Sequence, residues 1–158
     1  MTKIHAIETG SVKIKTAQRR RDKNGGLGRV LLSRTWTEWL PIYAWVVEHP
    51  EGLIIVDTGE TAQTSEPGYF PQWQPYYSLA VQMDVRPDQE IGPQLRKIDL
   101  DPAQVWRVIL THLHTDHAGG LHHFPDSQIL VSGEEYVNAK GFMGKVQGYL
   151  PHRWPEWF

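Results

Sequence analysis

The chain has 158 residues, of which 40% are apolar and 22% charged, and its net charge is −2. This length suits one domain with a sizeable core, and the balanced composition excludes disordered, collagen-like and coiled-coil chains. The small net charge favours neither a polyanion nor a membrane as partner, and no apolar run approaches the ~20 residues of a membrane span. The chain has no Cys, so disulfides and thiolate metal sites are excluded and the eight His remain as candidate ligands.

The amino-terminal part predicts β-structure around a basic loop. Alternating apolar residues over positions 4–14 predict strands, with a turn at Thr9-Gly10-Ser11. Residues 13–34 hold half of all Lys and Arg, and a glycine-rich run at 24–28 marks a loop inside them. We interpret this segment as a solvated hairpin loop, and the alternative is an anion or nucleic-acid patch.

Two strands and a long irregular segment follow. Residues 42–48 and 53–57 predict a hairpin joined by Pro and Gly at 49–52, and the second strand is apolar enough to be buried on both faces. Residues 58–87 lack periodicity but are rich in Pro and aromatic side chains. Two interpretations stay open for them: a cover over a binding cleft, or packing against the core.

The second half predicts alternating helices and strands. Acidic residues at 88–90 predict a helix to about residue 98, and Asp101 followed by Pro102 marks another helix start. Residues 105–110 predict a buried strand, residues 128–131 another strand, and residues 133–140 a helix. Strand, helix and strand in this order indicate a β–α–β crossover, hence an α/β fold with a partly parallel sheet.

Four candidate metal ligands directly follow the strand at 105–110, in the pattern His112-x-His114-x-Asp116-His117. With this composition the pattern arises by chance on the order of 0.001 times per chain. In an extended segment His112 and His114 point to the same side, and a turn then presents Asp116 and His117. Imidazole and carboxylate suit Zn²⁺, and also Fe and Mn, so the pattern predicts a metal site at a strand end.

This pattern, followed by Ala118-Gly119-Gly120, resembles the signature of the metallo-β-lactamase superfamily. A second motif, Asp57-Thr58-Gly59 after Val56, resembles the early motif of the same superfamily. Within it the chain is most similar to hydrolases of the N-acyl-homoserine lactonase type. The resemblance implies an αββα sandwich and a quorum-quenching metallohydrolase.

The resemblance also implies roles for individual residues. His112 and His114 match ligands of a first zinc ion, and Asp116 and His117 match ligands of a second. Asp57 matches an outer carboxylate that orients the ligand loop. Asp116 is also the expected catalytic residue, as the group that steers a proton of the attacking water.

Three further family ligands, a His, a bridging Asp and a final His, find no match in the chain. The later histidines His122, His123 and His152 are expected at the surface, and Asp126 is wrongly placed for a bridge. We therefore expect residues 1–158 to form the amino-terminal half of the sandwich, with one sheet face bare. The aromatic residues at 154–158 are then expected to need a cover, from a missing half or a second copy in a homodimer.

The leading hypothesis is a zinc-dependent hydrolase that opens a lactone ring, with aromatic residues at 69–77 and 154–158 as walls for an acyl chain. The expected partner is a small lactone, without membrane or nucleic acid, in the cytoplasm. Two alternatives stay open. One is another superfamily hydrolase, either a thioesterase or a nucleic-acid phosphodiesterase that uses the basic segment. The other is an inactive zinc-binding fragment with weak metal affinity and little turnover.

Overall fold

The computed structural model describes residues 1–19 and 26–158, and its strands form one sheet. Arg20, Arg21 and Lys23 of the basic segment, and residues 24 and 25 of its predicted loop, lie outside the described residues. The loop prediction is wrong for residues 26–28, which begin a short helix. The strands are β1 (Lys3–Ile14), β2 (Leu40–His49), β3 (Gly52–Val56), β4 (Val81–Asp84), β5 (Val105–Ile109) and β6 (Gln128–Leu130). Of these, β4 was not predicted, because it is short and lies in the segment without periodicity.

The sheet has the strand order β4-β1-β2-β3-β5-β6. The pairs β1–β2, β1–β4 and β2–β3 are antiparallel, whereas β3–β5 and β5–β6 are parallel. The predicted hairpin and the predicted crossover into a partly parallel sheet are both confirmed. Because β3 and β5 run side by side in the same direction, their carboxyl ends meet at one edge of the sheet.

The helices are short, and α3, α4 and α5 lie in the connections between the parallel strands. The α-helices are α1 (Thr16–Arg19), α2 (Gly26–Leu32), α3 (Pro75–Ala80), α4 (Ile91–Lys97), α5 (Thr115–Ala118), α6 (Gly133–Lys140) and α7 (Phe142–Val146). Single 3-10 turns occupy Ala62–Ser65, Pro87–Gln89, Pro102–Gln104, Gly119–His123 and Pro151–Arg153. In the described part of the chain, no helix has the length and apolar character that a membrane crossing requires.

The predicted turn at Thr9-Gly10-Ser11 is wrong, because β1 runs through it. The register against β2 shifts between Glu8 and Ser11, and Gly10 at this irregularity has φ 123°. A side chain at Gly10 would collide with Val85, so glycine is required there by both conformation and space. The irregularity lets one long strand pair with β2 along its length and with β4 at its end.

One face of the sheet carries the core. Along β2, Ala44 and Val46 are fully buried, and in register with them Ile55 and Val108 are also at 0% exposure. Helix residues such as Ile91 cover this face. Removing a side chain of this size from water contributes about 1.5–3 kcal/mol, so this layer accounts for most of the hydrophobic stabilisation.

The opposite face carries an exposed apolar row. Ala6, Trp45, Val56, Ile109 and Leu130 are successive cross-strand neighbours on it. Trp45 is 46% exposed, and Ile109 and Leu130 are 36% and 38% exposed. The described chain therefore has one helix layer and one sheet layer, with the second sheet face bare as expected.

The carboxy-terminal aromatic residues are better covered than expected. Trp154 and Phe158 pack against Tyr136 of α6, with ring centroids 5.6 and 5.8 Å away. Trp157 remains 45% exposed. The expectation that this segment needs an external cover is therefore wrong for two of its three aromatic residues, because α6 supplies an apolar surface.

Candidate metal centre

The pattern His112-x-His114-x-Asp116-His117 begins two residues after β5 ends and runs into α5. Leu113 and Thr115 are buried, and the alternating His112 and His114 turn outward into a cavity. The backbone N–H of Leu113 donates to Glu135 Oε1 of α6 at 2.9 Å, which holds the segment extended. The predicted same-side arrangement of the two histidines follows from this alternation.

The four residues of the pattern line one cavity of about 360 Å³. The ring centroids of His112 and His114 lie 5.0 Å apart, and those of His112 and His117 lie 3.9 Å apart. The Nε2 atom of His117 is 3.5 Å from Asp116 Oδ2. The structure thus brings together all four residues that the sequence singled out.

Each histidine of the pattern uses one ring nitrogen locally and keeps the other free. His112 Nδ1 faces Thr111 Oγ1 at 3.1 Å, His114 Nε2 faces Gln147 O at 3.2 Å, and His117 Nδ1 faces Asp57 Oδ2 at 2.8 Å. Among the described residues, no hydrogen-bond partner faces Nε2 of His112 or Nδ1 of His114, and Nε2 of His117 faces Asp116 Oδ2 at 3.5 Å. This is how metal-binding histidines are held in proteins, so the donor set fits a transition metal ion.

Asp57 fixes the loop that carries the four candidate ligands. One carboxylate accepts from the Thr111 N–H at 2.8 Å and from the Thr111 hydroxyl at 2.8 and 3.0 Å, besides its bond to His117. Burial alone raises the pKa of Asp57, but the hydrogen bonds from His117 and Thr111 outweigh it and hold the pKa below its ordinary value. Asp57 therefore stays charged and fixes both ends of the motif.

The position of Asp57 depends on a tight turn after β3. Asp57 itself has φ 58°, in the left-handed region that costs a non-glycine residue roughly 1 kcal/mol or more. Gly59 has φ 68°, and an added Cβ there would collide with the Thr9 side chain. The Asp-Thr-Gly sequence is thus needed to reverse the chain directly beneath the histidines.

The charge states of the histidines follow from their surroundings. Burial lowers the pKa of His112, and the neighbouring His117 and His114 lower it further, so His112 is neutral and able to bind a cation. Burial also lowers the pKa of His117, but the bond to Asp57 and the nearby Asp116 outweigh this and raise it. A negative environment thus surrounds His117 and favours a cation at its free nitrogen.

The wall of the cavity away from the histidines is apolar. Tyr76 and Tyr77 of α3 form part of it, which supports the interpretation of residues 58–87 as a cleft cover at these two positions. The other apolar side chains come from the three strands β1, β2 and β4: Val12, Ile14, Leu40, Ile42, Val81 and Met83. The expected wall from residues 154–158 is wrong, since Trp154 and Phe158 pack on Tyr136 instead.

Two features of this region were missed from the sequence. Glu60 is fully buried three residues after Asp57, and burial raises its pKa to about 8. Its Oε2 has no hydrogen-bond partner within the part of the chain that the structure describes. His123 is half-buried rather than exposed, and both His122 and His123 contact Glu90. A spacing rule could not find this pairing, because Glu90 lies more than 30 residues earlier in the chain.

Glu90, His122 and His123 form a second group of candidate metal ligands, separate from the His112–His117 pattern. Among residues 1–19 and 26–158, ligand atoms of Glu90, His122 and His123 lie within 4.8 Å of one another. His152, the other late histidine, is exposed as expected.

The basic segment is largely engaged with aromatic and acidic neighbours where it is described. Lys15 is 7% exposed with its ammonium 3.7 Å from the Trp36 ring centroid, and Lys13 lies 4.6 Å from Trp39. Arg19 pairs with Glu38 at 2.9 Å. These contacts favour a structural role for these three cations over a nucleic-acid surface.

Comparison with known proteins identifies relatives of both sequence and fold. A sequence model of the metallo-beta-lactamase superfamily matches residues 37–155. The chain is 25% identical over 139 residues to the N-acyl homoserine lactonase AttM of Azorhizobium caulinodans, covering 87% of this chain and 48% of that one. It is 33% identical over 106 residues to an N-acyl homoserine lactonase of a Bacillus species, covering 64% and 40%.

A solved structure of an N-acyl homoserine lactone hydrolase, with N-hexanoyl-L-homoserine at its catalytic metal centre, has the same fold. The TM-score is 0.72 at 22% identity, covering 93% of this chain and 56% of the other. The chain thus spans about half the length of the relatives that it matches.

Proposed function

The chain belongs to the metallo-beta-lactamase superfamily, and from this premise we propose that it carries part of a metal-dependent site that opens the ring of N-acyl homoserine lactones or related esters. Residues 1–158 are proposed to belong to a single domain of this type, since one sheet and one main core run through the described chain. The relatives named N-acyl homoserine lactonases support the substrate class.

The observation that carries the proposal is the two-sided character of the cavity. At one end stand three histidines and Asp116, and along the other side stand the apolar side chains of β1, β2 and β4. An N-acyl homoserine lactone has the same division, with a polar ring at one end and an alkyl chain at the other. A cavity of about 360 Å³ lies within the usual size range of small-molecule sites.

The metal-binding residues are proposed as His112 and His114 for one zinc ion, and Asp116 and His117 for a second. Bound zinc lowers the pKa of a coordinated water and polarises the carbonyl that is attacked. Zinc has four ligands in most sites, so each pair supplies part of a coordination sphere. We therefore expect the 158-residue chain alone to bind zinc weakly at this motif and to turn over substrate slowly.

Asp116 is proposed as the catalytic residue. Its carboxylate lines the cavity and lies 3.5 Å from His117 Nε2, so it stands where a water molecule bound at this end would donate a proton. Asp57 is a positioning residue, because it touches His117 and Thr111 rather than the cavity. Its charge keeps the proton of His117 on Nδ1 and leaves Nε2 free.

The test is ring opening by the gene product that carries this sequence, followed by pH-stat and mass analysis with N-hexanoyl homoserine lactone. With zinc added we expect hydrolysis that a chelator abolishes and that Asp116→Asn and His112→Gln reduce at least 100-fold. His49→Gln, an exposed histidine at the β2–β3 turn, is the matched control and is expected to keep full activity.

Two outcomes would contradict the proposal. Hydrolysis of thioesters or RNA without any lactone hydrolysis would exclude the substrate class. Lactone hydrolysis that survives both chelation and His112→Gln would exclude the site.

A further inference from the structure

A second cluster of metal-donor side chains lies behind the motif loop. Glu90 precedes α4, and His122 and His123 lie in the 3-10 turn Gly119–His123. The Nε2 atom of His122 is 3.1 Å from Glu90 Oε2, and the Nε2 atom of His123 is 2.7 Å from the same oxygen. Two imidazoles therefore direct the same ring nitrogen at one carboxylate oxygen.

The hydrogen bonds around Glu90 leave this oxygen for a ligand role. Its other oxygen, Oε1, accepts from the Ala62 N–H at 2.7 Å and from the Thr61 hydroxyl at 3.0 Å. The carboxylate is thus fixed in place, and the side chain is only 10% exposed. Metal-binding carboxylates are commonly oriented by hydrogen bonds of this kind.

The tautomer of His122 places a lone pair against another acceptor. Its Nδ1 lies 3.2 Å from Gly119 O, a carbonyl that can only accept, so Nδ1 carries the proton. In the neutral imidazole Nε2 then holds a lone pair, which faces the Glu90 oxygen. Only a cation between the two atoms, a proton or a metal ion, makes this arrangement favourable.

We infer that Glu90, His122 and His123 bind one divalent transition metal ion, for which two imidazole nitrogens and a carboxylate oxygen make zinc the best-suited occupant. A tetrahedral zinc ion with bonds of about 2.0–2.1 Å separates its ligand atoms by about 3.3 Å. The two distances observed here, 3.1 and 2.7 Å, would have to widen by about 0.2 and 0.6 Å to reach that separation. His122 is 41% exposed, so a water molecule can complete the coordination.

Gly92 makes room for this cluster. A Cβ at Gly92 would come within 2.5 Å of His123 Nδ1, so any larger residue at position 92 would displace the ring. Glycine is less favourable than alanine inside a helix. The close packing of His123 on Gly92 therefore fixes a ligand at the expense of helix stability.

A metal ion at this cluster would hold together the segment that follows Asp57 and the segment that follows His117. Thr61 and Ala62, which hold Glu90, follow Asp57 by four and five residues, and His122 follows His117 by five. The two clusters share no residue, so this inference stands independently of the proposed function. The metal would act as a structural pin, with the motif residues facing the cavity on the other side.

The test uses the full 158-residue chain with His112→Gln and His114→Gln as a background that weakens the motif site. Zinc content after dialysis and the zinc-induced rise in unfolding temperature are then measured. We expect one tightly bound zinc ion in this background, lost with His122→Gln and with His123→Gln. Gly92→Ala is expected to weaken zinc binding at least 10-fold although no ligand is removed.

His5→Gln is the matched control. His5 forms a hydrogen bond to Glu48 of 2.7 Å, the same length as that of His123 to Glu90, but without a third donor. It is expected to leave the bound zinc unchanged. Long-range ¹H–¹⁵N spectra of the imidazoles in the unsubstituted chain provide a readout that needs no variant, since zinc should shift Nε2 of His122 and His123 and leave their Nδ1 signals largely in place.

The inference is overturned if the background variant binds no zinc, or if His123→Gln retains the same bound zinc. It is also overturned if the Nε2 signal of His122 shows a protonated imidazolium that zinc does not displace. In each case the cluster is a hydrogen-bonded ion pair only.

Discussion

Asp57 and Glu90 are two buried carboxylates that each hold histidines of the same chain segment, in opposite ways. Asp57 contacts His117 at Nδ1, so the other nitrogen is free to face the cavity. Glu90 contacts His122 and His123 at Nε2. The other ring nitrogen of His122, Nδ1, faces Gly119 O. Asp57 therefore orients a proposed metal ligand, whereas Glu90 is itself proposed as a metal ligand.

Glu60 lies between these two carboxylates in the sequence and sharpens the comparison, because burial keeps it protonated. Its pKa is about 8 in the folded chain against 4.5 in the unfolded one, so between these values only the folded state holds the proton. Stability should then fall with rising pH by up to about 1.4 kcal/mol per unit from pH 5 to pH 8. In Glu60→Gln this contribution is absent.

The measurement is chemical denaturation in the presence of a chelator at several pH values. The difference between Glu60→Gln and the unsubstituted chain should grow as the pH rises, while the exposed Glu134→Gln should run parallel to the unsubstituted chain. Parallel curves for all three proteins would show that Glu60 is ionised in the folded protein, and would contradict the claim that burial keeps it protonated.

Asp57→Asn tests the carboxylate that orients His117. Loss of the charge weakens the hold on His117 Nδ1 and on Thr111 without removing a metal ligand. Outer partners of this kind are worth about 10–100-fold in metal affinity, so zinc binding at the motif should weaken by that factor. Competition with a chromophoric chelator measures it, with the exposed Asp84→Asn as control; an unchanged affinity would remove Asp57 from the site.

Thr61→Val tests Glu90, the carboxylate that is proposed as a metal ligand. It removes the hydroxyl that donates to Glu90 Oε1 at 3.0 Å and keeps the shape of the side chain. We expect a loss of about 1 kcal/mol in unfolding free energy, and a weaker response of that stability to zinc. Thr64→Val, whose hydroxyl donates only to the Thr61 carbonyl, should keep the zinc response; the reverse ranking would contradict the role of Glu90.

A smaller effect is expected from the bare face of the sheet. Trp45→Lys places a charge in the middle of the exposed row formed with Val56 and Ile109. Because contiguous exposed apolar surface drives association, the unsubstituted chain should form dimers or larger species that this change reduces. Sedimentation velocity measures the shift, with Leu32→Lys, exposed at 83% on α2, as control; equal behaviour of both variants would rule out the sheet face as the interface.

The sequence predicts the motif cluster well because its information is local. His112, His114, Asp116 and His117 lie within six residues after a strand, so strand alternation and one turn are sufficient to place them together. The β2–β3 hairpin and the β–α–β crossover also follow from local patterns, whereas the pairing of β4 with β1 does not. Asp57 was found only through the resemblance of Asp57-Thr58-Gly59 to the early motif of the superfamily, and the structure explains its place, because the carboxyl ends of the parallel strands β3 and β5 meet at one edge.

The Glu90 cluster was not predicted, because it depends on a tertiary contact between segments more than 30 residues apart. Whether His123 is exposed is decided by its packing on Gly92, and no periodicity in residues 119–123 encodes that contact. The same holds for Phe158, whose partner Tyr136 lies on a helix with weak amphipathic character. Long-range packing, rather than propensity, decides these positions.

The most direct test of the motif cluster as a metal-dependent lactone site is a crystal structure with zinc and N-hexanoyl-L-homoserine, using anomalous scattering at the zinc edge. The account predicts anomalous density beside Nε2 of His112 and Nδ1 of His114, with the homoserine end next to Asp116. The acyl chain should lie against Val12, Ile42 and Met83. Zinc bound elsewhere with the cavity empty, or a ligand whose acyl chain points away from this wall, would contradict it.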